Sequence, residues 1–170
     1  MQSEERRSLL LKKIASAADP ISASALAAHF GVSRQIIVGD VALLRSAGHE
    51  ITATPRGYTM KADSSGGILR QVAVKHTSAQ MEDELNAIVD QGCTVLDVIV
   101  EHPVYGQLTG QLHISNRYEI KQFMSHCGRL EAHPLSKLTD GIHIHTLQCA
   151  DEAAYERVKD ELRKLNFLLE

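Results

Sequence analysis

Residues 22–48 read SASALAAHFGVSRQIIVGDVALLRSAG, and their punctuation sets the fold of the first part of the chain. Ser22 can accept from the open backbone N–H groups of a helix carrying Ala25, Leu26, Ala28 and Phe30, and Gly31 then permits a tight turn. Ser33 can cap a longer helix over residues 34–47 that places Ile37, Val41 and Leu44 on one stripe, and Gly48 supplies the left-handed residue that ends it. This is helix-turn-helix spacing. Upstream, residues 8–18 read as a further helix with Leu9, Leu10 and Ile14 on its buried side, stopped by Asp19-Pro20. Downstream, residues 51–53 and 58–60 flank Thr54-Pro55-Arg56-Gly57 as a hairpin, or wing. Residues 1–62 are therefore expected to form a winged helix-turn-helix. Gly39 is out of keeping, because a mid-helix glycine costs about 1 kcal/mol relative to alanine.

In such a module the first turn of the third helix can enter the major groove of double-stranded DNA. There Arg34, next to the capping Ser33, can pair with guanine, and Gln35 can read adenine. Arg56 at the wing tip can reach phosphate or the minor groove. The plainer alternatives are that Arg34 only meets phosphate, that Arg56 is a solvated turn residue, and that the whole module makes protein contacts.

Charge divides the chain at the same place. Residues 1–62 carry eight Lys/Arg against five Asp/Glu, whereas residues 63–170 carry ten against sixteen, so the overall charge of −3 hides a basic first part and an acidic second part. Only the first is suited to approach phosphates. The boundary falls in the polar Ser/Gly stretch before Ile68, and a linker is expected at residues 63–69. With 170 residues, two small domains are feasible. No apolar run approaches the roughly 18 residues that span a bilayer, and the Glu4-Glu5-Arg6-Arg7 start lacks a signal-peptide layout; a cytoplasmic protein with no membrane partner is expected. Cys93, Cys127 and Cys149 lack the spacing of a disulfide framework or a zinc knuckle and read as free thiols.

Residues 70–170 alternate strands (71–77, 94–101, 107–114) and helices (79–91, one after Asn116, and 151–168), with the 94–101 strand buried on both faces and a hairpin of residues 135–138 and 142–148 around Thr139-Asp140-Gly141. Glu119 can complete a capping box with Asn116. The expected fold class is α+β: the winged helix joined to an α+β sandwich, an antiparallel or mixed sheet with helices on one side.

Within Gly141-Ile142-His143-Ile144-His145-Thr146, an extended strand puts His143 and His145 on one face about 6.7 Å apart along the chain, a chelating spacing. Glu84 lies at the edge of its helix's apolar stripe and can lean toward the sheet, and His76 ends the preceding strand. His76, Glu84, His143 and His145 make a three-histidine, one-carboxylate set suited to one divalent transition metal: zinc, nickel or iron, with zinc and nickel foremost. Taken singly, any of these histidines is more ordinarily a polar strand-face residue. His113, His126 and His133 read as solvated.

These residues carry a resemblance. Residues 34–45 with the wing resemble the biotin-repressor-type winged helix-turn-helix. His76 with Glu84, the segment Leu96-Asp97-Val98-Ile99-Val100-Glu101-His102-Pro103-Val104-Tyr105-Gly106, and the run from Pro134 to Thr146 resemble the three-histidine (3H) domain of the NiaR family, nicotinate-responsive repressors of NAD biosynthesis. The resemblance covers nearly the whole chain. It implies a homodimeric repressor of NAD biosynthesis and nicotinate uptake genes, with nicotinic acid as corepressor and a metal on His76, Glu84, His143 and His145. In such a mechanism the metal takes one end of nicotinate and a cation the other. Arg117, at a helix start, is placed for a carboxylate, or else is a solvated first-turn residue; His102 and Tyr105, at a strand end, are candidate pocket liners. Ligand binding would favour a dimer matching half-sites about 34 Å apart.

Two rivals remain open at this level: a regulator whose effector is the ion itself, and a metallohydrolase. The second lacks a base, since Glu84 cannot easily be both ligand and base, and has no use for a basic winged helix. A biotin-ligase-type enzyme is excluded, because about 100 residues after the linker are too few for a synthetase core and no Gly-rich phosphate loop occurs. No enzymatic activity is expected.

Overall fold

The computed structural model describes residues 2–60 and 66–170. The chain divides into two compact units, Met1–Ser64 and Ser65–Glu170. Of the linker expected at residues 63–69, positions 63–65 lie outside the described residues, and the last two already belong to a strand that begins at Ile68.

In the first unit, α1 (Ser3–Ser16), α2 (Ala23–Phe30) and α3 (Arg34–Ser46) precede a hairpin of β1 (Thr52–Thr54) and β2 (Gly57–Thr59). Ser22 and Ser33 cap α2 and α3 by accepting from Ala25 N and Ile36 N, and Gly31 makes the left-handed turn at the end of α2. Leu10, Ile14, Leu26, Ile37, Val41, Leu44 and Ile51 form the core. α1 starts five residues before the expected Ser8. Its extra turn is held from outside, because Arg6 grips the α3 carboxylate of Asp40 through Nε at 2.6 Å and Nη2 at 3.2 Å, while Arg7 approaches it at 3.8 Å. Leu9, expected inside, is exposed. The wing strands are each shifted by one residue from expectation. Ile21 and Tyr58 exchange backbone hydrogen bonds, and a Cβ at Gly57 would strike the Ile21 carbonyl, so only glycine lets the wing lie this close.

In the second unit, β3 (Ile68–Lys75) leads through a 3-10 turn (Ser78–Gln80) into α4 (Met81–Val89), followed by β4 (Thr94–His102), β5 (Gly106–Ile114), α5 (Arg117–Arg129), a second 3-10 turn (Leu135–Thr139), β6 (Ile142–Cys149) and α6 (Glu152–Lys164). The four strands form one sheet in the order β3-β6-β4-β5, antiparallel throughout. The α4 crossover from β3 to β4 leaves one strand's width between them, and β6 fills it. One face of the sheet packs under the helices, with Val72, Val74, Val95, Leu112, Ile114 and Leu147 against Leu85, Ile88, Ile120, Val158 and Leu162. In β4 only Val95 and Val100 are buried and most other positions are half-buried, so the strand is not buried on both faces as its apolar run suggests.

The expected strand at residues 135–138 is a 3-10 turn started by Pro134. Both edges of β6 are taken by β3 and β4, so no hydrogen-bonding row remains for it to join. The turn that follows is as the sequence suggests: Asp140 and Gly141 are left-handed, at φ 53° and 88°. In α5, Asn116 caps Glu119 N, but Glu119 Oε2 reaches back one residue further than a capping box, accepting from Ser115 N at 2.8 Å. Past α6, Phe167 is buried and its carbonyl accepts from Lys75 N, so the C-terminal residues lie along β3.

Candidate metal centre

The β3–β6 register puts Val72 opposite His145 and Val74 opposite His143, and His76 stands one residue beyond the last pair. All three histidines therefore rise from the helix-covered face, where α4 crosses above them. In its first turn Glu82 and Asp83 point to water, whereas Glu84 points down and is wholly buried. The structure thus brings together His76, Glu84, His143 and His145. His76 Nε2 lies 2.5 Å from Glu84 Oε2, His143 Nε2 lies 3.3 Å from the same oxygen, and His145 Nε2 lies 3.1 Å from Oε1. The ring centroids of His76 and His143, and of His143 and His145, are each 4.8 Å apart and close to perpendicular.

Each ring is oriented from behind. His76 Nδ1 donates to Thr77 O at 2.8 Å, His143 Nδ1 to Gly141 O at 2.8 Å, and His145 Nδ1 to Asp97 O at 2.6 Å. The last carbonyl is available because β4 carries a bulge between Val95 and Asp97, and the Asp97 side chain takes over the ladder by accepting from Thr146 N at 2.9 Å. Gly141 is needed sterically, since a Cβ there would strike the His76 carbonyl. With Nδ1 spent on carbonyls, neutral rings aim three Nε2 lone pairs at a carboxylate that has no proton to offer. Glu84 Oε1 and His145 Nε2 face each other at 3.1 Å, and among the described residues neither has a hydrogen-bond partner. Such a set is resolved by protons or by a cation, and inward Nε2 atoms held by Nδ1–H···O=C bonds are the usual support of a bound metal.

The electrostatics follow. Burial opposes charge on His76 and on His145, yet Glu84 outweighs it and raises both rings above the ordinary imidazole value. Burial likewise opposes charge on Glu84, but His145, His143 and His76 together hold it well below the ordinary carboxylate range. His76, Glu84 and His143 offer ligand atoms within 4.8 Å of one another, and His145 stands at the second carboxylate oxygen. The donor set, imidazole nitrogen with one carboxylate, fits zinc or nickel.

Other expected residues lie elsewhere. Arg117 is exposed and closed on Asp90, Nε to Oδ1 at 2.8 Å and Nη2 to Oδ2 at 2.5 Å; Asp90 stands six residues, about 9 Å of helix rise, beyond Glu84. The structure does not bring it to the cluster. His102 Nδ1 accepts from Val104 N and Tyr105 N, tightening the β4–β5 turn, and the Tyr105 ring lies tilted against it at 5.0 Å, the residue being exposed. Arg34, Gln35 and Arg56 are exposed in the first unit, at the start of α3 and the wing turn, and Ser33 is the α3 cap. His126 and His133 are exposed and His113 is half-buried. Cys93 and Cys149 are buried; burial and its contact with Cys149 push the Cys93 thiol up to about 12, so it is unreactive. Sequence reasoning missed Phe167, whose ring lies 5.0 Å from that of His76 and helps to seal the centre, and missed Asp40; neither has a local pattern that marks it. No helix among the described residues is long and apolar enough to cross a membrane.

Residues 69–170 match the 3H domain and residues 6–59 an HTH domain. The chain is 41% identical over 167 residues to the probable transcription repressor NiaR of Thermotoga maritima, covering 98% of this chain and 95% of that one. It is 37% identical over 167 residues to the transcription repressor NadR of Bacillus subtilis, covering 96% and 93%. With both domain matches in order and relatives aligned nearly end to end, the chain belongs to the 3H-domain family, in the form with an N-terminal HTH domain that includes these repressors.

Proposed function

We propose that the chain is a homodimeric, DNA-binding transcription repressor of NAD biosynthesis and nicotinate uptake genes, not an enzyme, whose centre of His76, Glu84, His143 and His145 holds one divalent transition metal and senses nicotinic acid as corepressor. The observation that carries the metal is the convergence of three Nε2 lone pairs on a buried carboxylate, with Glu84 Oε1 and His145 Nε2 lacking a hydrogen-bond partner among the described residues. The ion would supply positive charge to these donors and a coordination position for the ligand. The DNA-facing role falls to Ser33, Arg34 and Gln35 at the start of α3 and Arg56 on the wing. A metal-responsive repressor, with the ion itself as effector, is the second reading; it is favoured by the depth of the centre, whose four side chains are all nearly inaccessible.

One binding experiment separates the two. A duplex selected by metal-loaded protein should bind about 5- to 150-fold more tightly when nicotinate is added, and nicotinamide should do much less. Arg34→Ala or Gln35→Ala should cost about 1 to 3 kcal/mol on that duplex and relax its base preference, while Arg56→Ala weakens all duplexes alike. Full affinity with metal alone, unchanged by nicotinate, makes the ion the effector.

A further inference from the structure

We propose that the cleft beside His76 is a carboxylate subsite, in which Lys137 and Lys75 hold the anionic end of a small aromatic ligand and Ser136 donates a hydrogen bond to it. This rests on the reading that the second unit senses such a ligand. The cleft has a volume of about 460 Å³ between the two 3-10 turns, with His76 and Gly141 on its lining, a size ordinary for a small-molecule site of about 300 to 1,000 Å³.

Thr77 and Gln80 on its lining are bonded to each other, whereas its lysines and its Ser136 hydroxyl are available. Among the described residues neither Lys75 nor Lys137 has a carboxylate partner, and Lys137 Nζ meets only His133 Nδ1, at 3.4 Å. Ser136 is 6% exposed, and its carbonyl takes Gly141 N at 2.8 Å, but its hydroxyl has no partner among the described residues. Asp140, also on the lining, is one acid against two cations. The neighbouring cleft, about 390 Å³ beside His143, is lined by Ile99, Val100, Ile142 and Ile144 with Glu101, which suits a ring and repels an anion. Arg117 is already neutralised by Asp90 and would have to break that pair to serve. A ligand carboxylate therefore gains most beside Lys137, in a cleft that Lys75 and Ser136 also line together with His76.

Calorimetric titration of the metal-loaded full chain with nicotinate, picolinate, benzoate and nicotinamide tests this, together with Lys137→Gln, Ser136→Ala and Arg117→Gln. Lys137→Gln should weaken nicotinate at least about tenfold and Ser136→Ala less, with metal content unchanged and nicotinamide hardly affected. Arg117→Gln should leave nicotinate within about twofold. Nicotinate binding that survives Lys137→Gln and Ser136→Ala, or is lost in Arg117→Gln instead, overturns the subsite and leaves the corepressor reading standing. Lys137-dependent binding of picolinate or benzoate without nicotinate does the reverse. If none of the three carboxylates binds, the subsite is wrong.

Discussion

Asp40 in the winged-helix unit and Glu84 in the 3H unit are both carboxylates taken almost wholly out of water, 4% and 0% exposed, yet their surroundings differ in kind. Asp40 meets a guanidinium, which is charged at every pH the protein meets, so α1 and α3 close a complete ion pair when they pack. Glu84 meets three imidazoles whose Nδ1 protons are engaged elsewhere, so folding alone leaves it short of positive charge. An unpaired buried carboxylate costs on the order of several kcal/mol. The first arrangement is a structural clamp; the second makes the stability of its unit depend on something taken up from solution.

The largest consequence is the response to chelation. Metal-loaded protein should hold about one divalent ion per chain by elemental analysis, and His143→Ala/His145→Ala should hold almost none. An ion at 100 times its dissociation constant adds about 2.7 kcal/mol, so chelation should lower the melting temperature of the 3H unit and leave that of the winged helix unchanged. The pH dependence should also reverse. Without metal, the raised His76 and His145 contribute stability that is complete below the ordinary imidazole value of about 6.5 and is lost as pH rises through their folded values; the lowered Glu84 contributes above the ordinary carboxylate value and is lost as pH falls through its own. Chelated protein should therefore be steadiest in mild acid, whereas protons displace the ion there and the metal-dependent increment grows toward neutral pH. Melting curves that run parallel with and without chelator, or equal metal content in the double variant, would break the contrast.

Next in size is Asp40→Ala. Removing the carboxylate strands Arg6 at a site with 12% of its side chain exposed and unties the first turns of α1. The winged-helix transition should fall by about 5 to 10 °C, with metal content unaltered. A shift in the 3H transition of the same size would mean that the two buried carboxylates are not independent.

The same contrast governs what was legible in the sequence. Capping serines, glycine turns and apolar stripes act over a few residues, so α2, α3 and the wing could be read closely, as could the alternation that sets His143 and His145 on one face. Glu84 was readable because its helix stripe has an edge. What could not be read depends on partners distant in the chain: the first turn of α1, fixed by Asp40 thirty-four residues on; the 3-10 turn of residues 135–139, denied a strand partner by β3 and β4; and the bulge that turns the Asp97 carbonyl toward His145. Arg117 starts a helix, which suits either a ligand carboxylate or solvent, and nothing local reveals that Asp90, at the end of α4, already holds it.

The smallest predicted effect concerns Gly39, next to Asp40. It lies in the interior of α3 on its exposed side, and a Cβ there would meet none of the described residues within 4 Å. Neither a left-handed backbone nor a close neighbour in the unit requires glycine, so its backbone entropy is an uncompensated loss. Gly39→Ala should stabilise the winged helix by about 1 kcal/mol, raising its melting transition by about 4 to 8 °C and leaving the 3H transition and the metal content alone. The gain should persist in Asp40→Ala, because the alanine acts on the unfolded chain and the helix backbone, not on the ion pair. Should Gly39→Ala instead weaken binding to the selected duplex while raising stability, the glycine is retained for close approach of the DNA to α3.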